Sequence, residues 1–211
     1  MHCKVYTLPF DSWIRSYSSL PDGLDVDEDL FSHLWEMHPP EYGKVVMFGK
    51  EVATPRWHQT YGKQYTFSGN TLETQPLDDP YLKKLVRWVN KHARQNSLAV
   101  GDVPHNGVLI NWYADGNHYI GAHADDERQL VRDSPIYSFT FGQERTFKVT
   151  SKKNMPEGEQ IDPLEIQMAD NTFLIMGGKM QRYYKHEVPK AKKSEGDMGP
   201  RINITIRAFA D

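Results

Sequence analysis

The sequence predicts an α+β protein in which N-terminal helices flank a jelly-roll, or double-stranded β-helix, core. Two segments in the first hundred residues carry apolar side chains at helical spacing. From residue 107 onward, short β-rich segments alternate with turn signals such as Asp115-Gly116 and Gly177-Gly178. Many short strands separated by turns are typical of a β-sandwich or jelly roll, so the helices should pack outside it.

Both predicted helices have recognisable starting points. Residues 18–29 form an acidic turn, after which Leu30 to Met37 place apolar side chains near a 3.6-residue period, and Pro39-Pro40 ends the helix. The second helix begins at Asp79-Pro80, a capping residue followed by proline in the first turn. Its apolar residues recur on one face, and its lysines and arginines lie elsewhere.

The β-rich segments define the expected core. They are Val108–Tyr113, Ile136–Phe141, Arg145–Val149, Leu164–Met168, Thr172–Met176 and Ile202–Ala208. Earlier strands are expected at Lys44–Phe48 and Gln64–Phe67. We therefore expect an N-terminal extension over residues 1–106 and the jelly-roll core over residues 107–211, together forming a single domain.

Composition narrows the classes of site and partner. The chain has 211 residues, a formal net charge of -3 and one cysteine, Cys3. A single cysteine excludes an internal disulfide framework and a cysteine-based metal site, so any metal must be bound by histidine and carboxylate. There is no apolar run of membrane-spanning length or signal-peptide character, so we expect an intracellular, non-membrane protein, nuclear or cytoplasmic. Any binding of nucleic acid would need locally concentrated positive charge.

A metal site is predicted at His123, Asp125 and His186. His123 and Asp125 are two residues apart, so on an extended segment both side chains point toward one ion. His186 is the best candidate for a third ligand from a distant strand. Two histidines and a carboxylate form the facial triad of non-haem Fe(II) oxygenases. The pair alone is a weak signal, because nine histidines make chance pairings easy and Asp126 and Glu127 could be a solvated acidic turn.

A second pattern near the C-terminus points to a dianionic ligand. Residues 201–207 alternate strictly, with isoleucines on one face and Arg201, Asn203, Thr205 and Arg207 on the other. Taken alone, this is more simply an amphipathic strand with its polar face in water. Two arginines on one face nevertheless suit a dicarboxylate such as 2-oxoglutarate, because guanidinium pairs with carboxylate through two parallel hydrogen bonds.

Asn111 and Tyr113 complete the ordered pattern. They share one face of a predicted strand shortly before His123 and can supply neutral hydrogen bonds to the same ligand. From about Val45 to Arg207, this set of motifs resembles the AlkB family of nucleic-acid dealkylases, in particular its duplex-DNA repair members. The resemblance implies a catalytic domain that uses Fe(II), 2-oxoglutarate and O2 to demethylate N-alkylated bases such as 1-methyladenine and 3-methylcytosine, with release of formaldehyde.

The resemblance also implies roles for individual residues. Arg201, with Tyr113 and Asn203, would bind the distal carboxylate of 2-oxoglutarate. Arg207, with Asn111, would lie near the end that chelates iron.

For the substrate, the resemblance implies a nucleotide-recognition lid with a hairpin in the N-terminal part. Phe48 at its tip would wedge into the duplex, and Phe67 would stack on the flipped base. Tyr65 and Glu127 would border the base pocket. Apart from the resemblance, the lysine-rich loop that carries Lys192 and Lys193 is a candidate for the local positive charge that phosphate contact needs. Core packing for the aromatic residues and a solvated loop for the lysines are the simpler interpretations.

Several alternatives stay open at this point. The partner is expected to be alkylated DNA, possibly RNA, bound by a monomer, and single and double strands are not distinguished. The acidic net charge and the lack of an extended basic N-terminal arm favour a rival function, hydroxylation of a small molecule or protein. The stretch Met176–Gln181 departs from the family pattern, which bears on the substrate class more than on the chemistry.

Overall fold

Two packed β-sheets form the body of the molecule in the computed structural model, which describes residues 2–47, 49–67, 70–156, 158–192, 194 and 196–210. The strands are β1 (Cys3–Leu8), β2 (Ser12–Tyr17), β3 (Lys44–Met47), β4 (Lys50–Ala53), β5 (Trp57–Gly62), β6 (Tyr65–Phe67), β7 (Asn70–Leu72), β8 (Thr74–Gln75), β9 (His105–Tyr113), β10 (Ile120–His123), β11 (Ile136–Gly142), β12 (Arg145–Ser151), β13 (Leu164–Met168), β14 (Thr172–Gly178), β15 (Tyr184–Val188) and β16 (Arg201–Ala208). The helices are α1 (Glu28–Glu36), α2 (Pro80–Gln95) and α3 (Met180–Tyr183).

Helix α2 begins after its predicted capping residue, Asp79, and α1 begins two residues earlier than predicted, after Asp27. Asp27 accepts a hydrogen bond from the backbone N–H of Leu30 at the start of α1, and Asp79 accepts one from Leu82 at the start of α2. Each aspartate satisfies an N–H group that has no partner within the helix and places negative charge at the positive end of the helix dipole. Among the described residues, no helix has the length and apolar character needed to cross a bilayer.

The major sheet has eight strands in the order β1-β2-β14-β11-β16-β9-β5-β8, and the minor sheet has four in the order β10-β15-β12-β13. One face of the major sheet, including Ile202, Ile204 and Ile206, packs against the apolar residues of α2. The other face carries the alternate residues of β16 toward the minor sheet. Because successive strand residues point to opposite faces, β16 contributes both to the core and to the inter-sheet space.

The jelly-roll prediction is confirmed, and both predicted helices and all six predicted core strands are present with small shifts at their ends. The structure adds a feature that sequence reasoning missed. Four strands from the first 106 residues belong to the major sheet: β2 and β5 pair with β14 and β9, and β1 and β8 pair with them at the two edges. The division into an extension and a core stays a prediction, since its two parts share one sheet.

The predicted early strands are also present in part. Lys44–Met47 pairs with Lys50–Ala53 as an antiparallel ribbon, and Tyr65–Phe67 pairs with Asn70–Leu72. Phe48, the predicted hairpin tip, lies outside the described residues, so the lid role of this ribbon stays a prediction.

Candidate metal and co-substrate site

The three predicted metal ligands come together between the two sheets. His123 ends β10 and lies directly opposite His186 of β15 in the antiparallel register. Asp125 follows two residues after His123, and one ligand atom from each of the three side chains lies within 4.8 Å of the others. The two imidazole ring centres are 4.3 Å apart. This spacing fits three ligands around one ion.

Neighbouring groups orient two of these side chains. The Nδ1 atom of His123 lies 2.9 Å from the carbonyl oxygen of Gly121, which favours a proton on Nδ1 and leaves the Nε2 lone pair free. Nε2 lies 3.8 Å from Oδ1 of Asp125. The other oxygen, Oδ2, accepts hydrogen bonds from Nε and Nη2 of Arg207 at 3.0 and 2.8 Å. Arg207 therefore holds one carboxylate oxygen and leaves Oδ1 available to a cation.

Two buried atoms of the cluster have no hydrogen-bond partner among the described residues, namely Oδ1 of Asp125 and Nδ1 of His186. Buried polar atoms are nearly always hydrogen-bonded, so each unsatisfied atom requires an explanation. A bound cation would satisfy Oδ1 of Asp125, and each of the two imidazoles offers it one ring nitrogen. The donor set of imidazole and carboxylate fits a first-row divalent metal such as Fe(II).

Electrostatics hold the three groups in their ligating protonation states. Burial, reinforced by the charge of His123, lowers the pKa of His186 to about 3. Burial lowers the pKa of His123 as well. Burial opposes ionisation of Asp125, but the charges of Arg207, His186 and His123 lower its pKa to about 2. The site therefore presents neutral imidazoles and an ionised carboxylate at neutral pH, the forms that bind metal.

The predicted co-substrate residues line the same cavity as the triad. In the antiparallel register of β16 and β9, Arg201 lies opposite Tyr113 and Asn203 lies opposite Asn111. All four line the cavity, as do Thr205 and Arg207. Residues 201, 203, 205 and 207 are at most 9% exposed, so the simple solvated-strand interpretation of this segment is wrong.

Arg201 is an incompletely paired cation inside the protein. Its side chain is 1% exposed, its Nη2 donates to the hydroxyl of Thr140 at 3.0 Å, and its guanidinium lies 5.0 Å from the ring centre of Tyr113. Its Nε and Nη1 atoms have no hydrogen-bond partner among the described residues. Burial lowers the pKa of Arg201 to about 10, so the group stays charged at neutral pH. A buried guanidinium with unused donors is a strong indication of a carboxylate ligand.

The remaining polar groups of the cavity form a network. Asn203 donates to the Ser138 hydroxyl at 2.8 Å and to the Phe139 carbonyl at 2.9 Å, and its amide oxygen accepts from Thr205. Asn111 accepts a 2.6 Å hydrogen bond from Nε of Arg56. Both amides are therefore fixed by neighbours before any ligand binds.

Arg56 is a cavity residue that the sequence motifs did not assign to the site. Arg56 is 6% exposed and lines the cavity beside His58. Burial, with the charge of Arg56, lowers the pKa of His58 to about 4, so this histidine is neutral at physiological pH. Arg56 directly precedes strand β5, and His58 lies on it. This strand was not predicted, and no local signal in the sequence indicated that its face would be buried.

Gln181 was also missed, although the unusual Met176–Gln181 stretch was noted. Its side-chain oxygen accepts a hydrogen bond from the backbone N–H of Asp125 at 2.9 Å. Its carbonyl accepts from Lys152 at 2.8 Å, and the same lysine pairs with Asp126 at 2.9 Å. Gln181 and Lys152 thus tie α3 to the turn that carries the carboxylate ligand.

We expect Gln181→Leu to weaken Fe(II) binding by about 10- to 100-fold, the usual effect of losing a group that orients a ligand. The reason is that the Asp125 N–H would lose its acceptor and the turn its anchor. Anaerobic Fe(II) titration of the metal-free protein measures the effect. Gln181→Glu keeps an acceptor oxygen of the same reach and should bind more tightly than the leucine variant. Equal affinities for the parent and the leucine variant would contradict this role.

The residues predicted to contact substrate are only partly described. Glu127 lines a second cavity that adjoins the first, since both are bordered by Asp125 and Arg207. Lys192 is exposed. The backbones of Tyr65 and Phe67 belong to β6, but their side chains lie outside the described part of the chain, as do Phe48 and Lys193. The substrate roles of all six residues stay predictions.

Comparison with known proteins agrees with the geometry. Residues 28–207 match the family model described as the 2OG-Fe(II) oxygenase superfamily, which uses Fe(II), 2-oxoglutarate and O2 as predicted. The chain is 36% identical over 169 residues to the DNA oxidative demethylase ALKBH2 of Bos taurus, covering 78% of this chain and 56% of the relative. It is 34% identical to ALKBH2 of Homo sapiens, covering 78% and 60%, and 31% identical to human alkB homolog 3, covering 72% and 51%.

A solved structure, that of OsALKBH1, matches the fold with a TM-score of 0.57 at 16% identity, covering 99% of this chain and all of the other. The chain spans only about half to two thirds of the length of the ALKBH2 and alkB homolog 3 relatives. The family match nevertheless includes the triad and the co-substrate strand. This chain therefore belongs to the 2OG-Fe(II) oxygenase superfamily, and its similarity to AlkB homologues confirms the resemblance predicted from its motifs.

Proposed function

We propose that this chain is an Fe(II)- and 2-oxoglutarate-dependent dioxygenase that demethylates N-alkylated nucleobases in nucleic acid, releasing formaldehyde. The observation that carries the proposal is a single buried cavity. It contains three clustered metal-ligand side chains, two of them with unsatisfied atoms, and an arginine with unused donors. A metal would satisfy the free oxygen of Asp125, and a dicarboxylate would satisfy the unused donors of Arg201.

His123, Asp125 and His186 are the proposed metal ligands. Bound Fe(II) would supply the oxidative chemistry at an N-alkyl carbon, and three protein ligands leave positions for the co-substrate and O2. The chain's own part is positional. Arg207 fixes one oxygen of Asp125, Gly121 orients His123, and the buried surroundings keep water away from the reacting atoms.

Arg201 is the proposed partner of the distal carboxylate of 2-oxoglutarate. Its two unused nitrogens can give the paired hydrogen bonds that guanidinium forms with carboxylate. Tyr113 lies opposite Arg201 at one end of the strand pair, Asn203 and Asn111 lie opposite each other two positions further along, and Arg207 lies at the other end, against Asp125. This order along one strand pair matches a linear dicarboxylate whose other end chelates the metal.

Nucleic acid is the proposed substrate because relatives named DNA oxidative demethylase match over 78% of this chain. We propose 1-methyladenine and 3-methylcytosine as the lesions, in DNA and possibly in RNA, acted on by a monomer inside the cell. Phe48, Tyr65, Phe67, Glu127, Lys192 and Lys193 are the proposed contacts with base and phosphate.

Turnover on methylated oligonucleotides tests the proposal. The Fe(II)-loaded protein is given 2-oxoglutarate and single- or double-stranded DNA or RNA carrying 1-methyladenine or 3-methylcytosine. We expect formaldehyde in a one-to-one ratio with succinate. An unmethylated oligonucleotide of the same sequence is the control and should give no formaldehyde. Succinate formed with amino acids or other small molecules, without formaldehyde from any methylated strand, would instead favour the small-molecule hydroxylase.

A further inference from the structure

Helix α2 presents a strongly basic surface. Its sixteen residues include five cationic side chains, at positions 83, 84, 87, 91 and 94, and no acidic one, in a chain whose net charge is -3. All five are exposed. The opposite face, with Leu82, Leu85 and Val89, is buried against the major sheet. The cations are therefore held outward on a fixed support.

Helix stability does not explain this composition. Lys83 and Arg87, and Arg87 and Lys91, are four residues apart, a spacing at which like charges destabilise a helix. Lys83 also lies in the first turn, where positive charge opposes the helix dipole. Glutamate at alternate exposed positions would stabilise the same helix. Repulsion among these cations therefore destabilises the helix, and a bound anion would relieve that repulsion.

The C-terminal half of the helix is the best placed for an external anion. Lys83 pairs with Asp78 at 3.4 Å, and Lys84 lies near Gly23 in the acidic turn of residues 18–29. Within the described part of the chain, no carboxylate oxygen lies within 4.0 Å of Arg87, Lys91 or Arg94. We call these three residues the basic ridge.

The surroundings of the basic ridge are consistent with a preformed binding surface. The amide of Asn90 exchanges hydrogen bonds with the backbone of His105 on β9 at 2.9 and 2.8 Å, which fixes the rotation of the helix. Arg15 of β2 lies close enough to lower the pKa of His92, after the larger effect of burial, and so adds positive charge beside the ridge.

The basic ridge and the catalytic cavity lie on opposite faces of the major sheet. Alternate residues of β16 show this directly, since Ile204 packs in the core shared with α2 while Arg201 and Asn203 line the cavity. Phosphates beside a base in the cavity therefore cannot be the ones that the ridge contacts. Any anion at the ridge belongs to a distant part of the same polymer or to another molecule.

We propose that the basic ridge binds the phosphate backbone of nucleic acid as a second anchor outside the catalytic cavity. The ridge spans about 10 Å of helix, a length over which duplex DNA carries about six phosphate charges. Apart from Pro80 at its start, the exposed positions of α2 carry no apolar side chain, which argues against insertion into a membrane surface. The choice of nucleic acid as the partner rests on the proposed function. The anchor adds to that function the expectation that long substrates bind more tightly than short ones.

Salt-dependent binding tests the anchor without catalysis. We compare the metal-free parent with Arg87→Gln/Lys91→Gln/Arg94→Gln on a long unmodified duplex, by fluorescence anisotropy. Loss of three phosphate contacts should reduce the slope of log K against log[salt] by about 2.7. The affinity lost between about 50 and 200 mM salt should then be roughly 40-fold smaller for the variant than for the parent.

Control variants and measurements distinguish loss of charge from loss of folding, and binding at the ridge from catalysis in the cavity. Arg87→Lys/Arg94→Lys keeps the charges and should keep the parent slope, and thermal unfolding checks that each variant is folded. Turnover of a short methylated strand, which cannot reach the ridge, should be the same in the parent and the triple glutamine variant. Absence of that turnover in the parent would refute the proposed function and leave the anchor test intact.

An unchanged salt slope in the triple glutamine variant would overturn the anchor. So would a selective loss of binding to vesicles containing phosphatidylserine while duplex binding stayed at the parent level, because the ridge would then serve a membrane surface.

Discussion

Replacing His186 with leucine is expected to abolish turnover and leave the metal-free protein at least as stable as the parent. Loss of one ligand should reduce kcat at least about a thousand-fold, or about 4 kcal/mol of transition-state stabilisation. The stability effect has the opposite sign because Nδ1 of His186 is buried without a partner. An unsatisfied buried group costs about 1–3 kcal/mol, which leucine removes while filling a similar volume beside Phe147.

The difference in stability between the parent and the leucine variant should also depend on pH. The pKa of His186 is about 3 in the folded protein, below the ordinary histidine value of about 6.5. The unfolded chain therefore takes up this proton first, and the free energy of unfolding of the metal-free parent should fall as pH decreases from about 6.5 toward 3. The leucine variant lacks this contribution. Its free energy of unfolding, measured with urea at neutral and mildly acidic pH, should therefore exceed that of the parent by a growing margin as pH falls.

Val149→Ala is the matched control. Val149 is the cross-strand partner of His186 and is fully buried, so its truncation creates a cavity and should reduce stability. It offers no ligand atom and should retain turnover. A leucine variant less stable than Val149→Ala would contradict the stability prediction, and one that still turns over at the parent rate would refute the ligand role of His186.

Local sequence motifs predicted part of the site, and the rest depends on how distant strands pair. The alternation in residues 201–207 and the two-residue spacing of His123 and Asp125 are local patterns. In an extended chain, residues two apart point to the same side, so each pattern predicts that its polar side chains share one face. His186 required the further inference of a distant strand. Its position directly opposite His123 depends on the register of β10 and β15, which no short motif encodes.

The residues that were missed share one physical property. Arg56 and Gln181 act through contacts with Asn111 and Asp125, which are 55 and 56 residues away in the chain. Strand β5 was missed for a related reason. Its buried residues, His58, Thr60 and Tyr61, are polar or aromatic, so hydrophobic periodicity could not indicate that it is covered on the major sheet. Burial of polar side chains is decided by tertiary packing and is visible only in the folded structure.

Arg201 should control the affinity for 2-oxoglutarate and leave metal binding largely unchanged. Removing one partner of a buried, hydrogen-bonded charge pair costs about 2–5 kcal/mol, so Arg201→Met should raise the Kd for 2-oxoglutarate by roughly 30- to several thousand-fold. Arg201→Lys keeps the charge but not the planar pair of donors, and we expect intermediate affinity. Anaerobic titration of the Fe(II)-loaded protein with 2-oxoglutarate, followed by its absorption spectrum, gives both constants.

The folded structure also predicts what these variants do without ligand. In the parent, Arg201 is a buried cation whose Nε and Nη1 find no partner among the described residues, so the empty pocket carries a desolvation cost that the co-substrate relieves. Arg201→Met should therefore be no less stable than the parent in the absence of 2-oxoglutarate. It should also lose most of the rise in melting temperature that 2-oxoglutarate gives the parent. If the methionine variant instead bound 2-oxoglutarate as tightly as the parent, the dicarboxylate would have to be held by Arg207 or Arg56. The strand pattern from Arg201 to Arg207 would then be a structural network around Asp125.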